Sequence, residues 1–110
     1  MEPQPVLVAA SHSEKVETKQ EIEAEIVRVF GDLATEALCV ARMESGMRSD
    51  AVNTRNNNGT ADVGVFQIND VHGMSWEDRL DARTNITKAY QIRMAWGNWN
   101  AWMAAPKCGL

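Results

Sequence analysis

A chain of 110 residues with 45% hydrophobic residues and four Trp can build one modest core, and it is too short for two independent domains. A net charge of −4, from 11 Lys and Arg against 15 Asp and Glu with no basic block, argues against a surface made to grip nucleic-acid phosphates. The longest apolar run near the start, Pro5 to Ala10, is far short of the roughly 20 residues that span a bilayer, and no basic segment precedes it, so neither membrane insertion nor an export signal is read from it.

Residues 1 to about 18 hold two of the three prolines, a Ser-His-Ser stretch and mixed charges without periodicity, which reads as a tail or linker before a domain over 19–110. From Lys19 to Phe30, Ile22, Ile26, Val29 and Phe30 recur at helical spacing among charged residues, and Gly31 closes the segment. Asp32 is expected to cap a second helix through Leu33, Ala37, Leu38 and Ala41 into Met43 or Glu44, with Gly46 near its end. The run Asn53 to Gly59 ends in Asn-Gly, a strong turn signal, and Val63, Val65, Phe66 and Ile68 follow with β-type side chains, so a small hairpin is predicted.

Ser75 and Asp78 suit the start of a short helix through Leu80. Asp81 or Thr84 opens a longer one in which Ile86, Ala89, Tyr90, Arg93 and Met94 recur before Gly97. The stretch Gly97 to Ala105 then packs Trp99 and Trp102 into a short helical turn, and Trp96 reads as a core residue. Cys39 and Cys108 are either two unrelated thiols or a bridge around 68 residues, and composition leaves both open. His12 and His72 have no second His or nearby Cys and read as plain surface residues, so no metal site is expected.

Glu44 ends a largely apolar helix, where a carboxylate can reach a cleft while its stem stays in the core. An isolated glutamate in that setting is usually a solvated helix end. Its neighbours change the reading. Ala41-Arg42-Met43-Glu44-Ser45-Gly46-Met47, followed by Asp62-Val63-Gly64-Val65-Phe66-Gln67-Ile68-Asn69, resembles the lysozyme superfamily, in which a Glu-Ser pair ends a buried helix and a Gly-x-x-Gln-Ile/Leu stretch follows on a hairpin. Asp62, two residues before Gly64, and the turn from Asn53 to Thr60 bring it nearer to the chicken-type lysozymes; soluble lytic transglycosylases are also similar. Asn85 to Gln91, followed by Trp96 to Met103, carries the resemblance to about residue 108.

That resemblance implies an α+β, mostly α fold in which a helical body and a small hairpin flank a cleft. It implies Glu44 and Asp62 as catalytic carboxylates, Trp102 as the ring that desolvates Glu44, and Asn56, Gln67, Asn69 and the Ala101 backbone as substrate contacts, with Trp76 a looser candidate for an aromatic wall. Read from the residues alone, Asp62 and Asn56 could be turn formers and Gln67 a brace for the hairpin. The resemblance also implies a Cys39–Cys108 bridge, no cofactor, and a monomer acting on peptidoglycan outside the cytoplasm, whether extracellular, periplasmic or wall-associated. The acidic net charge departs from the basic surface that would attract an enzyme to an anionic wall. Hydrolysis is the favoured chemistry. A transglycosylase using Glu44 alone, a chitin-directed hydrolase and a non-catalytic wall-binding module are the alternatives.

Overall fold

A computed structural model of the chain describes residues 18–110, so the tail expected over residues 1 to about 18 lies outside the described residues except for Thr18. Thr18 caps the first helix. Its hydroxyl accepts from the Glu21 amide and its own amide donates to the Glu21 carboxylate, a reciprocal cap that starts helix α1 (Lys19–Phe30). Helix α1 buries Ile22, Ile26 and Phe30 as its spacing predicts.

Asp32 does not cap the second helix. Gly31 to Leu33 form one 3-10 turn, and α2 (Ala34–Ser45) continues from Leu33 with no side-chain cap. Gly31, at φ 55°, already ends α1, and Asp32 falls inside the 3-10 turn that follows, one residue before Leu33, which holds the cap position of α2. Gly46, at φ 66°, ends α2 in the left-handed conformation that favours glycine.

The predicted hairpin is a three-stranded antiparallel sheet of two-residue strands: β1 (Val52–Asn53), β2 (Asp62–Val63) and β3 (Ile68–Asn69). Val52 pairs with Val63 and Asn53 with Asp62, while Asp62 pairs with Asn69 and Val63 with Ile68. Strands this short make few ladder bonds, and side chains from the next two helices hold them instead. Helix α3 (Trp76–Leu80) is capped by Ser75, and α4 (Ala82–Trp96) by Asp81, whose carboxylate accepts from the Thr84 amide.

Arg79 of α3, only 2% exposed, donates from Nη1 to the carbonyls of Ile68 (2.9 Å) and Ala61 (3.3 Å), and its Nη2 lies 2.8 Å from the Asp70 carboxylate. The Ala61 amide and then Arg79 hold the Asp70 carboxyl below its ordinary value. Asn85 of α4, fully buried, accepts from the Phe66 amide at 2.8 Å and donates to the carbonyls of Val63 and Arg79. Gly64 makes this approach possible, because a Cβ there would stand 2.2 Å from both the Arg79 carbonyl and the Asn85 amide. Asn85→Ala strands buried backbone groups on two elements, so urea unfolding should show a loss of about 2–4 kcal/mol.

The core joins Phe30, Phe66, Trp99 and Trp102, with ring centroids 5.3–6.1 Å apart along the cluster. Trp99 donates to Glu36 (2.7 Å) and lies under the Arg93 guanidinium. Trp96 is not a core residue. It is 53% exposed, because it is the last residue of α4, one turn beyond Ile92, where Trp99 and Trp102 already close the core. After Gly97 the chain runs through turns to a 3-10 segment, Ala105–Cys108, which a Cys39–Cys108 disulfide ties to α2.

Candidate active site

An open cleft of about 980 Å³ separates the sheet from the helical body. Asn53, Asn56, Asp62, Gln67 and Asn69 line it from the sheet side, and Glu44, Ala101, Trp102 and Lys107 from the helical side. The volume lies at the upper end of ligand sites, which suits an extended chain better than a single small molecule.

Glu44 is half-buried at the end of α2, placed by the apolar face that buries Ala37, Val40 and Ala41. Its neighbour Ser45 fixes the helix end: the Ser45 hydroxyl donates to the Ala41 carbonyl (3.2 Å) and accepts from the Arg48 amide (3.2 Å). Burial pushes the Glu44 carboxyl above its ordinary value, and the charge of Asp62 adds to that rise. A hydrogen bond from the Ala104 amide and the charge of Lys107 act in the opposite sense without reversing it.

Asp62 sits in a cradle of amides. Oδ1 accepts from Asn69 Nδ2 at 2.7 Å, and Oδ2 accepts from Asn56 Nδ2 at 3.1 Å and Asn53 Nδ2 at 3.3 Å. These are side-chain partners drawn from β1, β3 and the loop between β1 and β2, so Asp62 is not merely a turn former bonded to its own backbone. The two acids therefore stand in contrasting surroundings, one desolvated and one saturated with donors.

The other expected site residues are less uniform. Asn56 belongs to the Asp62 cradle and also donates to the Thr60 carbonyl, and Asn69 bonds Thr60 as well as Asp62. Gln67 lines the cleft and braces it, since Nε2 donates to the carbonyls of Ala51 and Gly64 at 3.0 Å each. Its backbone has φ 51°, unusual for a residue other than glycine. Trp102 is 5% exposed, lines the cleft and donates from Nε1 to the Phe66 carbonyl at 2.9 Å, which joins the helical wall to the sheet.

Trp76 does not line the cleft. It lies half-exposed at the start of α3. The Ser75 cap places it in the first turn of a helix whose buried contact with the sheet is made by Arg79. His72 is not a plain surface residue either: it is half-buried and lines the cleft, and burial together with Lys88 lowers its pKa. His12 lies outside the described residues. Among the described residues, no group of three or more His, Cys, Asp or Glu is arranged to hold a metal ion.

Sequence reasoning missed Asn53, Arg55 and Lys107 at the site. Asn53 was visible only as the first residue of a turn. Lys107 had the one signal of standing beside Cys108, whose bridge brings its turn to α2. That disulfide is formed, so the two cysteines are not separate thiols.

A helical body, a small antiparallel sheet and a cleft with one acid from each define the lysozyme-like architecture. The family model described as a lysozyme-like domain matches residues 24–104, and the chain belongs to that family. A calcium-binding lysozyme from equine milk is similar in structure at a TM-score of 0.68 and 25% identity, covering 84% of this chain and 88% of its own. Canine milk lysozyme and the lysozyme of Equus asinus, each 24% identical over the same shares, superpose at TM-scores of 0.68 and 0.69 and share the fold. No curated protein sequence matches the chain significantly.

Proposed function

We propose that the chain is a muramidase that hydrolyses the β-1,4 bond between N-acetylmuramic acid and N-acetylglucosamine in peptidoglycan. The observation that carries this reading is the pair of unlike carboxylates across one cleft: Glu44 raised by burial, Asp62 held by three asparagine amides. A glycosidic oxygen is a poor leaving group and needs a proton from an acid that stays protonated toward neutral pH. Glu44 delivers that proton, and the bond from the anomeric carbon to the leaving oxygen breaks. Asp62, as nucleophile or electrostatic stabiliser, meets the positive charge on the anomeric carbon. Water then attacks that carbon and Glu44 takes its proton back, returning to the starting state.

The cradle keeps Asp62 an acceptor with a fixed position, so little reorganisation is needed as charge develops. Trp102 and Ile92 supply apolar wall beside the acid. Asn56 and Asn69 serve the sugar chiefly through Asp62, since their amide nitrogens are already engaged, and the Ala101 backbone remains a contact for an N-acetyl group. Gln67 Oε1 has no donor among the described residues and can accept from a sugar hydroxyl. A disulfide-bonded monomer working outside the cytoplasm fits this role.

Mass spectrometry of muropeptides released from purified walls tests the reading. Reducing N-acetylmuramic acid ends are expected, and Asp62→Asn should lower their rate of release by about 10²-fold. Products ending in 1,6-anhydro sugar, released at a rate indifferent to Asp62, would instead make the chain a lytic transglycosylase. Intact walls after prolonged incubation would reduce it to a binding module.

A further inference from the structure

The molecule is acidic overall, yet its cleft carries two cations, one from each side: Arg55 on the loop between β1 and β2, and Lys107 on the 3-10 turn that ends at Cys108. Elsewhere, Arg28, Arg42, Arg48 and Arg79 each have a carboxylate partner, and Arg93 lies over Trp99. Arg55 and Lys107 form no salt bridge among the described residues, although the charge of Lys107 is felt at Glu44, and both side chains are exposed. Their backbones are nevertheless held. The Arg55 amide donates to Asn53 Oδ1 (3.1 Å), and the Lys107 amide donates to the Ala104 carbonyl (3.0 Å) next to the disulfide.

We propose that Arg55 and Lys107 determine substrate specificity by recognising a carboxylate carried on the glycan, and so favour acidic glycan over chitin. This rests on the glycan-cleaving reading of the same cleft. A neutral chitin chain offers these two cations no charge to pair with, whereas an anionic chain can gain an ion pair on either wall. Peptidoglycan has two sources of that carboxylate: the lactyl group, free once the stem peptide is removed, and the acidic residues of the peptide itself.

The test compares three substrates, namely chitin oligomers, glycan stripped of peptide by an amidase, and intact peptidoglycan. For each of Arg55→Met and Lys107→Met, the ratio of kcat/KM on stripped glycan to that on chitin should fall about fivefold, and further for Lys107→Glu, as exposed ion pairs allow. The loss should shrink as salt is raised. A fall confined to intact peptidoglycan assigns the pair to the stem peptide. Unchanged ratios on both acidic substrates overturn the proposal while leaving catalysis intact.

Sedimentation with insoluble stripped glycan and with chitin supplies a readout that needs no turnover. Selective binding of stripped glycan that is lost in the Arg55→Met, Lys107→Met double variant, in a protein that cleaves nothing, supports the recognition role and overturns the catalytic one. Failure to bind or cleave any of the three overturns both.

Discussion

Glu44→Gln is expected to lower wall-cleaving turnover by about 10²- to 10⁴-fold, the usual contribution of a positioned general acid. The amide matches the carboxyl in shape but has no proton to give. In the parent, activity should fall as pH rises through the Glu44 pKa, and this limb should lie above the ordinary carboxyl value of 4.5 because burial, seconded by Asp62, favours the protonated form. The same shift has a consequence for stability. A carboxyl whose folded-state pKa is raised binds its proton more tightly when folded, so stability declines as pH rises from 4.5 through the raised value. Gln escapes that decline. Urea midpoints for parent and variant should therefore lie close together well below pH 4.5 and separate toward neutral pH, with the variant the more stable. A variant that is inactive but shows no such separation would leave Glu44 important without being desolvated.

Replacing both Cys39 and Cys108 with Ser should cost about 4 kcal/mol, the loop-entropy value for a closure of 69 residues. In a domain of this size that corresponds to a fall in Tm of roughly 15–30 °C, readable by calorimetry with and without reductant. The loss should extend to activity at temperatures where the reduced protein is still folded. The bridge fixes the turn that carries Lys107, and the Ala104 amide that bonds Glu44 lies directly before that turn. A reduced protein that melts lower but works at the parental rate would confine the bridge to a structural part.

Helices were legible in this sequence where apolar spacing and caps agreed. Ile22, Ile26 and Phe30 marked α1, Asp81 and Gly97 bounded α4, and Gly46 marked the end of α2 beside Glu44. Asp32 misled because capping strength is a property of the residue, whereas its use depends on holding the cap position, which falls at Leu33 after the 3-10 turn from Gly31 to Leu33. Trp96 misled for a related reason: helical spacing gives a residue's face but not whether the core still extends to that turn. Most of the cleft was legible through Glu44, Asp62, Gln67, Asn69 and Trp102, whose chain order resembles lysozymes. Arg79 was not, because a charged side chain at 2% exposure runs against its usual placement and, besides Asp70, its partners are carbonyls without any sequence signature. Lys107 escaped because its place in the cleft depends on a bridge between distant residues.

The pegging of the sheet by Arg79 and Asn85 bears on how the molecule is assembled in time. The strands lie between residues 52 and 69, but the side chains that satisfy their inner carbonyls and the Phe66 amide arrive later in the chain, and the Trp102 indole that bonds the Phe66 carbonyl later still. A segment of two-residue strands has little cohesion of its own. It becomes a wall when α3 and α4 dock, and the same docking brings the amides around Asp62 into register opposite Glu44. A chain in which these helices have not docked would lack the sheet side of the cleft, so the cleft is complete only with the native packing.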